Sequence, residues 1–210
     1  MIQFWRITVP TYIEVQNEVA DILNRSVFST QIQSGIQKAI RQYEKERYWF
    51  NETVTALTCT PNVEQLAVPA DYLFYTRMEI IQASAYLPMI VRPFSEIRQI
   101  NMNESIGLPI RFCEYGKNFW LANVPDSAYT VMAYYVQKLP ALSADADTND
   151  WLSAASDVIV ACAAKYVNLL YIKDTSAAQA CAQMEQLFKA TQLDVLRDQM
   201  FENKLRPTHF

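Results

Sequence analysis

The sequence predicts an α+β fold, and three observations predict it. Apolar residues recur at helical spacing in the first fifty residues, the period shortens toward two between Asn51 and Val136, and a long helix almost free of charge follows from Trp151. No Pro-, Gly- or Ser-rich linker divides the 210 residues, so one domain is expected over 1–203 with 204–210 as a C-terminal tail.

From Thr11 to Asn24, Val15, Val19, Ile22 and Leu23 recur at helical spacing while Glu14, Glu18 and Asp21 fall elsewhere. This predicts a one-faced helix over 11–24. Thr30 is placed to cap a second helix, 30–48, with Ile32, Ile36, Ala39, Ile40 and Tyr43 as its apolar stripe and Arg41, Lys45 and Glu46 on its wet face. Gly35 weakens that helix slightly.

A β-rich insertion is expected over about 51–137. Thr53, Val54, Thr55, Thr58 and Thr60 suit a pleated surface, and Pro61-Asn62 supplies a turn. A further extended stretch opens at Val68 to Tyr72, and residues 73–82 place Phe74, Met78 and Ile80 on one face. Ser95 reads as the cap of a short helix holding Ile97 and Ile100. The clearest hairpin runs from Ile110 to Val124 around Gly116-Lys117-Asn118, residues that tolerate the positive φ of a tight loop. Asp126-Ser127 makes the next turn. The strand from Tyr129 to Val136 is mostly apolar on both faces, which predicts cover on both.

Pro140 ends that strand, and the polar run Ser143 to Asp150 leads into a helix over 150–173. Between Trp151 and Tyr171 its only charges are Asp157 and Lys165, so it is expected to be enclosed on several sides. The last helix, 176–203, repeats Ala177, Cys181, Met184, Leu187, Phe188, Val195 and Met200 on one face. Gln179, Gln183, Gln186, Lys189 and Arg197 lie on the other, and Pro207 marks the end of any helix.

Composition narrows the function classes. Lys and Arg number 18 against 22 Asp and Glu, a formal charge of -4. That balance lacks the basic excess a phosphate-gripping protein uses for counterion release. The longest uncharged apolar stretch of the long helix, Val158 to Ala164, stops at Lys165, so no membrane span is expected. Arg6 interrupts the apolar N-terminus and no small-residue cleavage site follows, so synthesis and folding in a cytoplasm are expected. Cys59, Cys113, Cys162 and Cys181 lie 54, 49 and 19 residues apart, without metal-ligand spacing, and read as buried thiols.

Five constellations invite a chemical reading. Asp145-x-Asp147-x-Asn149 reproduces the opening of a calcium loop, but Asp150 stands where the sharp-turn Gly belongs and Ser156 where the closing Glu belongs. Asp147, Thr148 and Asn149 are better read as a helix cap, with Asp150 facing the positive helix end. Glu14/Glu18 and Glu44/Glu46 pair carboxylates as a glycosidase does, yet sit on charged helix faces. His209 is the sole histidine and lies in the tail. Gly35, Gly107 and Gly116 are too far apart to cradle a phosphate. Arg41 to Phe50 interleaves basic and aromatic residues as a base-stacking surface does, but Glu44 and Glu46 oppose it, and a hydrophobic plug dominated by Trp49 and Phe50 is the preferred reading. No catalytic, cofactor-binding or metal site is therefore assigned.

Three stretches, AIRQYEKERYWFNE, VPADYL and above all YTVMAYYVQKLPALSADADTNDWLSAASDVIVACAAKYVNLLYIKD, resemble the head-to-tail adaptor (connector) proteins of tailed bacteriophages. The likeness covers roughly residues 30 to 174. It implies a mainly helical bundle of about four longer helices with an inserted antiparallel sheet or meander. It implies a non-enzymatic virion protein, a ring oligomer, typically twelvefold, between the portal protein and a tail or neck component such as a nozzle, stopper or tail hub. Genomic DNA would pass through the lumen without sequence-specific binding. A neck stopper or tail-completion protein, and from another class a phage cell-wall hydrolase, are the competing readings. The tail Lys204, Leu205, Arg206, Pro207, Thr208, His209 and Phe210 is the expected portal-contacting segment, because a short end carrying a cation and an aromatic can order on binding.

Overall fold

The computed structural model describes residues 9–25, 28–103 and 105–193. In chain order the helices are α1 (Tyr12–Leu23), α2 (Ser29–Tyr43), α3 (Phe94–Met102), α4 (Asp150–Val167) and α5 (Thr175–Phe188). The strands are β1 (Glu52–Thr58), β2 (Gln65–Ala67), β3 (Tyr72–Gln82), β4 (Ala85–Pro88), β5 (Ile90–Val91), β6 (Arg111–Tyr115), β7 (Asn118–Ala122) and β8 (Thr130–Gln137).

The fold class implied by the resemblance needs correction. The protein is mixed α+β, 45% helical and 26% strand, with two four-stranded sheets, and is not a four-helix bundle with an inserted meander. Period two tells which face a strand residue takes, but not which strand it pairs with. Here the partners lie far apart in sequence: Thr58 opposes Thr130 in one sheet, and Leu66 opposes Phe119 in the other.

The chain forms two compact units, one from the segments up to Asn51 and from Leu139 onward, the other Glu52–Lys138. In the first, α1, α2 and α5 all pack on α4, whose Val158, Ile159, Ala163 and Val167 are buried. The uncharged stripe of α4 is thereby explained by enclosure within this unit. The stretch Asp150–Ile172 is long and apolar enough to cross a membrane by length and composition alone, but 56% of its 18-residue apolar window is buried inside the protein, as in a core helix. α2 crosses α4 at Gly35, where a Cβ would meet the Ala163 carbonyl oxygen and Val167 Cγ2 at 3.0 Å each. The glycine that weakens the isolated helix is what permits the close approach.

Helix ends differ in detail from expectation. Phe28, not Thr30, occupies the N-cap of α2, and α3 begins after Pro93, which leaves Ser95 inside its first turn. Ile22, expected on the inner face of α1, is exposed, whereas Val15, Val19 and Leu23 are buried. α4 continues into a π-helical turn, Asn168–Ile172, and α5 into another, Lys189–Leu193.

In the second unit, sheet order β1-β8-β3-β4 faces sheet order β2-β7-β6-β5 across a core of Met78, Ile80, Val131, Phe112, Phe119 and Leu121. α3 covers the other side of the second sheet through Ile97, Cys113 and Ala122. The second sheet is not wholly antiparallel, since β5 runs parallel to β6. β8 was expected to be covered on both faces; Val131, Ala133 and Tyr135 are buried, while Thr130, Met132 and Tyr134 opposite are only half-buried. Phe74 does not share a face with Met78. The register shift between Tyr75 and Arg77 places Tyr75 on the Met78 side instead. The β6–β7 hairpin turns at Gly116 and Lys117, both at φ 60°. The β3–β4 hairpin uses Ala83 and Ser84 at φ 47° and 69°.

Candidate functional site

Two lone charges on apolar helix faces build the most distinctive site. Lys165 is the single cation of α4, and Glu185 lies four residues beyond Cys181 on the inner line of α5. An unpaired charge on such a face would carry a large desolvation cost, so each requires a partner. They partner each other: Lys165 Nζ donates to Glu185 Oε2. Glu185 Oε1 also accepts from Tyr43 Oη at 2.7 Å and from Gln42 Nε2 at 3.0 Å, both on α2. Gln42 Oε1 in turn accepts from Tyr166 Oη at 2.9 Å and Cys162 Sγ at 3.5 Å. The carboxylate, 6% exposed, therefore ties three helices together.

Its electrostatics follow from that geometry. Burial alone would raise the Glu185 carboxyl, but hydrogen bonds from Lys165 and Tyr43 outweigh it and hold the group below its ordinary value. Burial would lower Lys165, but its bond to Glu185 together with the charge interactions of Cys162, Glu185 and Tyr166 outweighs this and raises it. Desolvation, with the hydrogen bond to Glu185 second, drives the Tyr43 phenol up. Burial pushes the Cys162 thiol up to about 12, so it packs as a small hydrophobe rather than serving as a nucleophile.

The rest of α5 departs from the sequence reading at Met184 and Leu187, while Cys181 and Phe188 lie inward as expected. Its buried residues are Ala178, Cys181 and Glu185, while Met184 and Leu187, expected inside, are 38% and 63% exposed. The helix is seated by small and polar groups, and of its large apolar residues Phe188 packs half-buried on the core while Met184 and Leu187 do not. The turn that leads into it has the same character, since Leu169, Leu170 and Tyr171 are three successive exposed apolar residues. Tyr171 is partly committed, lying against Lys38 with its hydroxyl 3.2 Å from Ser34 Oγ. A shallow groove of about 260 Å³ beside this turn is lined by Ile22, Arg25, Ile172, Ala177, Ala180 and Met184.

The other candidate residues are occupied by structural work. Asn149 is the N-cap of α4, its Oδ1 accepting from the Trp151 and Leu152 amides at 3.1 and 3.3 Å. Asp147 instead accepts from the Ser143 and Ala144 amides at 2.7 Å each, and these bonds hold its carboxyl below the usual range. Thr148 is exposed beside them. The backbone carbonyls of Asp145 and Asp147 accept from the Ile13 and Tyr12 amides, so this loop satisfies the start of α1. Glu14 accepts from the Thr11 amide and hydroxyl at 2.7 and 2.9 Å. Glu18 is exposed, and desolvation followed by the charge of Asp157 raises it. Glu46 accepts from Tyr48 Oη and from Lys189 Nζ.

The plug read into Arg41 to Phe50 is built differently from expectation. Tyr48 and Phe50 are buried, stacked at 5.4 Å and packed edge-on against Trp151, whereas Trp49 is 55% exposed. All four cysteines are buried. No group of three or more His, Cys, Asp or Glu is gathered to hold a metal among the described residues. Residues 204–210, including His209, lie outside the described residues.

A model of the SU10 adaptor protein family matches residues 10–207, nearly the whole chain. The chain belongs to that family. It is thus a phage adaptor protein, of a head-to-tail adaptor family. No curated protein matches it. The adaptor identity gives the site its context: a structural family suggests a non-enzyme, and the Glu185 network in this adaptor ties three helices together. Sequence reasoning missed that network. Its signal was present in the lone Lys165 and in Glu185 falling in register with Cys181.

Proposed function

We propose that this adaptor is a structural virion protein that forms an oligomeric ring beneath the portal, extends the DNA channel and offers the docking surface for the tail. The family match over residues 10–207 carries this reading. Three successive exposed apolar residues at 169–171 support it, because such runs on a monomer mark surfaces that another protein covers. The partners are the portal protein on one side and a nozzle, stopper or tail hub on the other. The ring is twelvefold, sits at the portal vertex, and is assembled from subunits made in the host cytoplasm. The net charge of -4 suits a lumen through which DNA slides without sequence-specific binding.

Mixing purified adaptor with portal rings and imaging the particles tests the reading. Direct docking as a closed ring is expected; docking only after another neck protein is present would identify a stopper and overturn it. Residues 204–210 are proposed to make the portal contact, so a chain ending at Asn203 should lose affinity for portal rings by at least tenfold. Unchanged affinity would remove the tail from the interface.

A further inference from the structure

We propose that α5 is exchanged between neighbouring subunits of the ring, each copy seating its α5 on the α2–α4 surface of the next. This rests on the ring reading above and names the element that would close it.

Four observations converge on α5. The first is how it is seated. Its fully buried residues are small or polar, Phe188 at its end packs half-buried on the core, and its specific anchor is the set of bonds from Lys165, Tyr43 and Gln42 to Glu185. A helix with no large apolar side chain fully buried opens at lower free energy than its neighbours. The second is the connection to α4. It is only Lys173 and Asp174 after the π-helical turn, and Lys173 sits at φ 62°, a left-handed conformation that strains a residue with a Cβ. Short strained hinges favour exchange over closure. Right-handed helical backbone at Lys173 and at Asp174, now at φ -93° and ψ 98°, would remove that strain and let α4 run on into α5. The 14 residues of α5 would then reach about 21 Å past the hinge at the helical rise.

The third is the surface at the hinge itself, where Leu169, Leu170 and Tyr171 stand exposed in the closed form. The fourth is complementarity. The seat offers one cation and two neutral donors, and α5 offers one carboxylate that accepts from all of them. A neighbouring copy supplies an identical α5, so exchange remakes every bond that opening breaks. Because seat and helix are different surfaces of one chain, the contact is head-to-tail, which is the type that closes rings.

Asn168→Cys provides the test, because Asn168 Nδ2 lies 3.7 Å from the Sγ of the native Cys181. The variant is assembled on portal rings, oxidised, and run under denaturing conditions with and without reductant. Exchange predicts a reducible ladder of linked chains. Rings whose new disulfide lies within single chains would overturn the exchange and leave the ring reading intact. Wild-type protein that forms no ring with portal would overturn both.

Charge reversal gives an independent readout should that variant fold poorly. Lys165→Glu and Glu185→Lys are purified separately and then mixed. Exchange predicts that the mixture recovers ring yield at least tenfold over either chain alone, since each reversed helix then finds a matching seat on the other. No recovery, with wild-type rings forming normally, would overturn it.

Discussion

The chemistry at Glu185 makes stability depend on pH in a defined direction. Its folded carboxyl lies below the ordinary value of 4.5, so the charged form contributes stability above that value and the contribution is lost as pH falls through the folded one. Thermal melts should show an acid limb below about pH 4.5 that flattens in Glu185→Gln. Lys165→Met leaves a buried carboxylate without its cation and should cost about 3–5 kcal/mol in denaturant unfolding. Lys165→Met combined with Glu185→Leu should recover only part of that loss, because the two apolar groups need no partner but Tyr43 Oη and Gln42 Nε2 lose their acceptor. Gly35→Ala is a second residue-scale test. Alanine is the better helix former, but its Cβ would press on the Ala163 carbonyl at 3.0 Å, and a loss of about 1–3 kcal/mol is expected. The close approach, not the propensity, then decides the sign.

At the scale of elements, two features break local rules for different reasons. The β3–β4 hairpin turns on Ala83 and Ser84 with both φ values positive, where Asn and Gly belong. Ala83→Asn with Ser84→Gly should therefore stabilise the protein by on the order of 1 kcal/mol, read as a shift in denaturant midpoint. α5 breaks a different rule, since Met184 and Leu187 face out while Glu185 faces in. Its three-and-four repeat was legible, but two stripes run along the helix and the repeat does not say which is inner. The seat decided that, because only Glu185 answers Lys165. In α4 no such ambiguity existed: apolar residues surround the helix, and every orientation buries them.

For the whole molecule, the expectation is a stable subunit whose apolar corner matters only in assembly. Leu169→Glu with Leu170→Glu should change subunit stability by no more than about 0.5 kcal/mol, since both side chains are exposed, yet abolish ring formation on portal. Equal loss of folding and assembly would show instead that the corner is needed for the subunit itself. The family match across residues 10–207 points the same way, toward a protein whose work is done by surfaces.

The sequence by itself determined the elements whose evidence is local. The period of Val15 and Val19, the Gly116-Lys117 turn and the charge-poor stretch from Trp151 all act within a few residues, so reading them needed no knowledge of neighbours. The resemblance carried by Tyr129 to Asp174 was legible for the same reason, being a continuous run. Tertiary structure alone decided what depends on pairing across the chain. It sorted eight strands into two sheets, moved Phe74 off the Met78 face through the register shift between Tyr75 and Arg77, and left Trp49 exposed while Tyr48 was buried against Trp151. It also joined Glu185 to Lys165, Tyr43 and Gln42. Each of those outcomes is set by a partner twenty or more positions away, where the balance of desolvation and pairing cannot be read from either residue alone.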